Sequence, residues 1–259
     1  MFIVPHTDFL PQANLPAAIA LAARKAGQEE QIFCSGVPLS PDLVLTAAHC
    51  VNQFEKRWRE STLFIRTPSL PSQTIEVVHW ALHPQYQESM NKKGLDIDLA
   101  LLKLKEPLKE FPQSTKRMLI IPQARTQTRL WMRGFSPIRL KTSTSWQALQ
   151  SSETWSKLNF QAELSSEGKY KVRAEQNNAA PCPGDSGAPV WSFEREKATL
   201  EGIVVQGNCE KGDAKVVSMN PALAWLESKM HRFSEFQTNR LDELKIYPLR
   251  LFGGVRRQF

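Results

Sequence analysis

Residues 180–191 read APCPGDSGAPVW, and this stretch constrains the fold and the chemistry more than any other part of the chain. Ser186 follows Asp185 and lies between two glycines, which permit a tight backbone and the close approach of a substrate. Such a turn can aim the N–H groups of Gly184 and Ser186 at one point, as an oxyanion requires. A glycine-rich turn with a serine is a weak signal by itself, so its partners must come from elsewhere in the sequence.

Two other stretches supply the groups that a serine nucleophile needs. LTAAHCV, residues 45–51, puts His49 at the end of an apolar strand, and DIDLALLKL, residues 96–104, puts Asp98 at the head of another. A hydroxyl nucleophile needs a base, and the base needs a carboxylate that fixes its tautomer and stabilises its cation. Taken singly, either residue fits a turn at a strand end. The three stretches together predict nucleophilic catalysis.

Composition and charge limit the class of protein. The chain has 259 residues, 41% of them hydrophobic, which suffices for a sizeable core in one large domain or two smaller lobes. Its net charge of +7 is interpreted as a basic solvated surface, because no nucleic-acid-binding motif accompanies it. No run approaches the roughly 20 apolar residues of a membrane helix. LPAAIALAA, residues 15–23, resembles a signal-peptide core but lacks the preceding basic residues, so no export signal is visible.

The four cysteines are even in number and contain no C-x-x-C pair, which disfavours a zinc ribbon. Cys34, Cys50, Cys182 and Cys209 allow three pairings, of which the local one closes two short loops. Each such bridge would stabilise the fold by about 3 to 4 kcal/mol in the chain-entropy model. Disulfides would place the protein in an oxidising compartment, outside the cell or in a periplasm, whereas buried free thiols are the alternative.

Short β-rich runs between turn signals dominate the chain and are typical of a sandwich or a barrel. They include QIFCSG, LVLTAA, STLFIRT, TIEVVHWAL, DLALLKL, RLWMRGF, YKVRAE, GAPVWSF, LEGIVVQG and KVVSM. LPAAIALAARKAG, residues 15–27, fits a helix by propensity and a strand by alternation. NPALAWLESKMHRF, residues 220–233, predicts a helix with Asn220 as N-cap and Pro221 as its first residue.

The chain resembles the chymotrypsin/trypsin family of serine endopeptidases, and a bacterial-type member is compatible with its motifs. CSGVPLSPDLVLTAAHC resembles the family's segment around its histidine, HPQY followed by DLALLKL its approach to the aspartate, and CPGDSGAPV its serine loop. The order His, Asp, Ser is also the family's and differs from the orders in subtilisins and α/β-hydrolases. With GIVVQGNC and PALAWLES, the resemblance covers about residues 14–236.

The resemblance implies an all-β fold of two six-stranded antiparallel β-barrels with a C-terminal α-helix and a site in the cleft between the barrels. We expect a protease domain over residues 14–236, divided into a first barrel at about 14–122, a second at about 123–219 and a helix at about 220–236. A basic C-terminal tail, residues 237–259, would follow it.

The resemblance also assigns roles to individual residues. Ser186 would attack the scissile carbonyl, His49 would transfer the proton, Asp98 would orient His49, and the amides of Gly184 and Ser186 would hold the oxyanion. The family's disulfides correspond to Cys34–Cys50 and Cys182–Cys209. We therefore expect a secreted or periplasmic monomer that acts on protein or peptide substrates, with no cofactor, no metal, and no nucleic-acid or membrane partner.

Specificity residues depart from the trypsin pattern. The aspartate that selects Lys or Arg lies six positions before the family's serine, and here that position is Ala180, so cleavage after basic residues is not expected. Val205, Gln206 and Gly207 match the strand that pairs with the substrate backbone. Gly207 would leave the pocket entrance open, which favours a neutral or apolar P1 residue, and Gln206 would make the neighbouring subsite more polar. Lys215 would either approach the pocket and favour an acidic P1 residue or remain solvated.

Asp185 needs a cationic partner if it is buried. In activated family members the partner is a new α-amino group before Ile-Val-Gly-Gly, and here only Ile3 and Val4, followed by Pro5, lie near the expected position. Arg133 is the alternative partner, as an arginine is in some bacterial relatives, and we favour it because the glycines are absent.

Two other functions compete with proteolysis. A catalytically silent, protease-like binding protein would usually lack a triad residue, whereas all three are present here. A metal site formed by His49, Cys50 and His83 lacks ligand spacing.

Overall fold

The computed structural model describes residues 18–58, 60–68, 72–89, 97–109, 130–135, 137–141, 146–151, 154–160, 169–174, 181–194, 197–208 and 211–238. The strands in these ranges are β1 Ile19–Lys25, β2 Gln31–Ser40, β3 Leu43–Thr46, β4 Ser61–Arg66, β5 Thr74–Leu82, β6 Ala100–Leu104, β7 Leu130–Gly134, β8 Pro137–Lys141, β9 Trp146–Ser151, β10 Thr154–Phe160, β11 Lys169–Ala174, β12 Pro189–Glu194, β13 Lys197–Asn208 and β14 Asp213–Ser218. The α-helices are α1 Ala48–Arg57, α2 Pro84–Ser89 and α3 Leu223–Thr238. No helix of this part of the chain is long and apolar enough to cross a membrane.

The strands form two closed antiparallel barrels of six strands each. The first has the order β1-β2-β3-β6-β5-β4 and closes through the pairing of β1 with β4. The second has the order β10-β11-β14-β13-β12-β7 and closes through the pairing of β10 with β7. Strands β8 and β9 form a separate two-stranded sheet. The predicted fold class is therefore confirmed.

The ambiguous segment near the N-terminus forms strand β1. Ile19, Leu21 and Ala23 point into the first barrel's core, whereas Ala18 and Ala20 lie in a separate cluster with Phe135 from beyond β7. This two-residue alternation overrides the helix propensity of alanine, because both faces of the strand are covered. The small side chains on the outer face let the second barrel come close.

A core shared by the two barrels and helix α3 holds the molecule together. Its buried residues include Leu45, Leu99, Trp191 and Ile203, with Leu226 from the helix. Leu223 and Met230 pack against the same core, as their helical spacing predicted. One apolar cluster thus joins the two barrels and the C-terminal helix.

The start of the C-terminal helix differs from the prediction. The chain enters α3 through a 3-10 turn, Asn220–Ala222, whose N-cap is Met219 instead of Asn220. Pro221 lies inside that turn, where its missing N–H costs no hydrogen bond. Helix α3 continues to Thr238, and the rest of the predicted basic tail lies outside the described residues.

Candidate active site

His49 and Asp98 are brought together by the pairing of two neighbouring strands. Thr46 at the end of β3 pairs with Ala100 at the start of β6, so the first turn of α1 lies beside the segment that precedes β6. His49 Nδ1 lies 2.6 Å from Asp98 Oδ2, and the backbone N–H of His49 donates to Asp98 Oδ1 over 2.7 Å. Both carboxylate oxygens therefore bind the same residue and fix its ring.

Asp98 is the more buried residue of this pair and His49 is the more exposed one. The side chain of Asp98 is 10% exposed and that of His49 is 32% exposed. A nearly buried carboxylate needs hydrogen bonds to remain charged, and His49 supplies two of them. Because Nδ1 faces Asp98, the outer nitrogen Nε2 remains available for proton transfer.

The turn around Ser186 lies next to this pair. Cys50 Sγ is 3.7 Å from His49 Nε2 and 3.7 Å from the carbonyl oxygen of Ser186. In the described part of the chain, no hydrogen bond joins the Ser186 hydroxyl to His49. Catalytic hydrogen bonds are often long before a substrate binds, so this geometry agrees with an unliganded site.

The backbone N–H groups of the turn differ in whether they have a hydrogen-bond acceptor. Three backbone N–H groups of the turn donate to backbone carbonyls. The N–H of Asp185 donates to the carbonyl of Cys182, that of Gly187 to the carbonyl of Val204, and that of Ala188 to the carbonyl of Asp185. Among the described residues, no acceptor receives the N–H of Gly184 or Ser186. Gly184 has φ +107° and Gly187 has φ +89°, values that L side chains rarely adopt. Gly184 and Ser186, the two residues predicted to supply the oxyanion amides, are therefore those of the turn whose N–H groups lack an acceptor in this part of the chain.

Asp185 is completely buried behind this turn. Its Oδ2 accepts the N–H of Cys182 over 2.8 Å, and a Cβ at Gly134 would lie only 2.3 Å from its Oδ1. Gly134 therefore allows the carboxylate to reach the backbone of β7. The sequence did not identify this glycine, because its neighbour is 51 positions away and no local motif marks it.

Two groups were predicted as the cationic partner of Asp185: the Arg133 guanidinium and the α-amino group of Ile3. Along β7, Leu130, Met132 and Gly134 are buried, whereas Arg133 is half-buried. Arg133 therefore lies on the face of the strand opposite to that of Gly134. Burial lowers the pKa of Arg133 to about 10. The pairing of Arg133 with Asp185 stays a prediction, and Ile3 lies outside the described residues.

The predicted substrate strand is the end of β13. The register with β14 shifts between Val204 and Gln206, so Val205 forms a bulge beside the turn. A Cβ at Gly207 would lie 2.7 Å from the carbonyl carbon and oxygen of Pro181. Glycine is thus needed here for the close approach of two backbones. Ala180 lies outside the described residues.

Lys215 faces away from this close approach. In the ladder between β13 and β14, Gly207 is opposite Ala214 and Gln206 is opposite Lys215. Ala214 is buried whereas Gln206 and Lys215 are exposed, as strand alternation requires. Lys215 therefore shares the face of Gln206.

The cysteines form disulfides. Cys34 and Cys50 are bonded to each other and tie β2 to the first turn of α1. Cys182 is also disulfide-bonded, and its predicted partner Cys209 lies outside the described residues. Cys34, His49 and Cys50 have ligand atoms within 4.8 Å of one another, but disulfide sulfurs are not the thiolates that bind metals.

Ser35 is a residue of this site that the sequence did not predict. Its N–H donates to the carbonyl of Ser186 over 2.7 Å, and its hydroxyl donates to the carbonyl of Gly184 over 2.9 Å. The hydroxyl also accepts the N–H of Phe135 over 2.9 Å, and its carbonyl accepts from Thr46 Oγ1 over 2.7 Å. No signal in the sequence reveals these contacts, because Gly184 is 149 positions from Ser35.

A family model described as Trypsin matches residues 10–226. Human granzyme M is 32% identical over 169 residues, which cover 61% of this chain and 63% of that protein. Tissue-type plasminogen activator of mouse is 26% identical over 242 residues, covering 82% of this chain and 42% of that protein, and the rat protein is 25% identical over 239 residues with the same coverage. The chain thus spans less than two thirds of the length of these relatives.

Proposed function

The chain belongs to the trypsin family, and we propose that it is a serine endopeptidase whose triad is His49, Asp98 and Ser186. One observation carries this proposal: the His49–Asp98 pair lies beside a turn whose N–H groups at Gly184 and Ser186 have no acceptor among the described residues. The pair supplies a base and the two amides supply oxyanion donors, which are the groups that acyl transfer from a peptide needs.

The reaction proceeds in two halves. Ser186 Oγ attacks the scissile carbonyl while His49 Nε2 takes the hydroxyl proton, and the N–H groups of Gly184 and Ser186 hold the oxyanion. Collapse of this intermediate breaks the peptide C–N bond, and His49 returns the proton to the leaving amine. Water then attacks the acyl-enzyme with His49 again as base, which releases the acid and restores Ser186.

Asp98 makes His49 an effective base. Its two hydrogen bonds to His49 hold the ring with Nδ1 protonated and Nε2 facing outward. The nearly buried negative charge then stabilises the imidazolium that forms during attack.

The P1 pocket takes a neutral or apolar residue. Position 180 carries alanine in place of the aspartate of trypsin-like pockets, and Gly207 faces Ala214 across the ladder instead of Lys215. The exposed Gln206 makes the adjacent subsite polar. Profiling with a peptide library should therefore give cleavage after apolar residues, and cleavage after Lys or Arg would contradict this assignment. Ala180→Asp should shift the preference toward basic residues.

Asp185 pairs with Arg133, so the chain is active without N-terminal processing. An α-amino group freed before Ile3 is the alternative, and it would make the full-length chain a zymogen. Replacing Arg133 with Met should lower both activity and stability, because it would leave Asp185 buried without its cation. Unchanged activity and stability would remove this assignment.

The protein works in an oxidising compartment, as a secreted or periplasmic monomer on protein or peptide substrates. The Cys34–Cys50 disulfide and the bonded state of Cys182 support this location, because such bonds persist where thiols are not kept reduced. Catalysis by the triad needs no cofactor or metal.

Intact mass before and after a fluorophosphonate probe tests the proposed function. A single adduct on the full-length chain, absent from Ser186→Ala, is the expected result, because labelling requires an activated serine. An adduct only on a species cut before Ile3 would support the zymogen alternative. A folded protein that never labels would refute the protease function and favour the silent binding protein.

A further inference from the structure

Ser35 of the first barrel touches the serine turn of the second barrel at several points. Ser35 is fully buried, and it lies in β2 directly after the disulfide-bonded Cys34. Its N–H and its hydroxyl donate to the carbonyls of Ser186 and Gly184, respectively. Its own carbonyl faces Gly187, where a Cβ would lie only 1.9 Å away. One residue thus contacts the turn on both sides of Asp185.

The hydroxyl of Ser35 makes contacts that its backbone cannot make. It donates to Gly184 and accepts from the N–H of Phe135, which follows β7. The hydroxyl therefore joins the turn to the strand against which Asp185 packs. Without it, the carbonyl of Gly184 would lose this donor, and among the described hydrogen bonds the peptide between Gly184 and Asp185 would be held through the Asp185 N–H bond to Cys182 alone. That peptide lies between the peptides that carry the N–H groups of Gly184 and Ser186, so a change in its orientation would change the angle between those two N–H groups. Glycine resists such a change little, because Gly184 has φ +107° and no side chain to restrict it.

We infer that the Ser35 hydroxyl is a positioning group for the oxyanion hole. It fixes the peptide between Gly184 and Asp185 through the Gly184 carbonyl, so that the N–H groups of Gly184 and Ser186 converge. Its effect on catalysis rests on the proposed function, whereas its effect on the turn does not. Ser35 touches no substrate and acts only through Gly184 and Ser186. Its role therefore differs from that of the triad.

A matched control separates this role from the loss of any buried serine hydroxyl. Ser192 is nearly buried on β12, and its hydroxyl bonds to Glu201 on β13. No hydrogen bond described for Ser192 reaches the serine turn. Ser35→Ala and Ser192→Ala each remove one hydroxyl from the interior, but only Ser35→Ala frees the turn.

The test combines amide hydrogen exchange with labelling kinetics on the full-length chain. In Ser35→Ala the peptide covering residues 182–188 should exchange about tenfold faster, because its protecting hydrogen bonds open locally. The maximal rate of fluorophosphonate labelling at Ser186 should fall about tenfold with little change in the probe concentration for half-maximal rate, since misplaced oxyanion donors act on the transition state. Ser192→Ala should match the wild type, and Ser35→Thr, which keeps a hydroxyl, should restore both quantities.

Each outcome decides the inference. If Ser35→Ala exchanges and labels like Ser192→Ala, the hydroxyl does not position the turn. If Ser35→Ala fails to fold while Ser192→Ala folds, the hydroxyl supports the whole fold and the local role is wrong. If the wild type does not label but exchange accelerates only in Ser35→Ala, the proposed function fails and the positioning of the turn stands.

Discussion

Gly187→Ala should destabilise the protein far more than an alanine at another glycine with positive φ. Two costs combine at Gly187. Its φ of +89° is unfavourable to an L residue by about 1 to 2 kcal/mol. In addition, the new Cβ would lie 1.9 Å from the Ser35 carbonyl oxygen and 2.3 Å from Thr46 Oγ1, so β2 and the turn must separate.

Most of the lost stability should come from the separation of the turn from β2. Moving the turn away from β2 breaks the hydrogen bonds that Ser35 makes to Gly184 and Ser186. Each broken bond costs about 1 kcal/mol, and more where a buried group stays unsatisfied. With the backbone cost, the free energy of unfolding should fall by about 4 kcal/mol, a large part of the roughly 5 to 15 kcal/mol typical of a protein.

Gly212→Ala and Gly27→Ala are the matched controls. These glycines have φ +71° and +76°, and a Cβ at either would meet nothing within 4 Å. Each should therefore cost only the backbone part, about 1 to 2 kcal/mol. Guanidinium unfolding followed by the fluorescence of the seven tryptophans gives the three values. If Gly187→Ala is no more destabilising than the controls, the close packing of the turn on Ser35 is wrong.

Three further predictions follow from the site and its supports. Asp98→Asn should slow fluorophosphonate labelling by about 10⁴-fold, because the imidazole loses the group that fixes its tautomer; a rate near that of the wild type would contradict the role of Asp98. Replacing both Cys34 and Cys50 by Ala should lower the free energy of unfolding by about 3 kcal/mol, from the 16-residue separation of the bridge, and denaturant titration measures it. Burial against Trp225 lowers the pKa of His83 from 6.5 to about 4, so the unfolded chain binds a proton first and stability should decrease as the pH falls through this range. Denaturant titrations at several pH values should show that the free energy of unfolding of His83→Gln depends less on pH than that of the wild type. An identical pH dependence would refute His83 as the cause.

Much of the site could be predicted because its residues lie in recognisable local patterns. His49 ends a strand beside a cysteine, Asp98 begins an apolar strand, and Ser186 is flanked by glycines. The short alternating runs predicted strands but left a sandwich and a barrel open, and the two-barrel fold was predicted from the resemblance. The disulfide between Cys34 and Cys50 followed from the resemblance and is present.

Predictions from propensity and local caps were less complete. The segment that became β1 had no decisive propensity, because alanine favours helix while its alternation favours a strand. Only pairing with β2 and β4 on either side selects the strand. Likewise, Asn220 has a typical N-cap side chain, but the preceding strand brings the chain into a 3-10 turn that starts one residue earlier.

The sequence by itself indicated the family, because its motifs around His49, Asp98 and Ser186 each lie within a short stretch of chain. The two-barrel fold and the roles proposed for these three residues then followed from the resemblance. Only the tertiary structure decided that Ser35 holds the Gly184 carbonyl, that Gly134 makes room for Asp185 and that Gly187 must lack a side chain. These contacts join segments that are far apart in the chain, and no local pattern encodes the distance between them. They occur where β2 of the first barrel and the end of β7 of the second barrel both meet the serine turn, because the two closed barrels pack against each other.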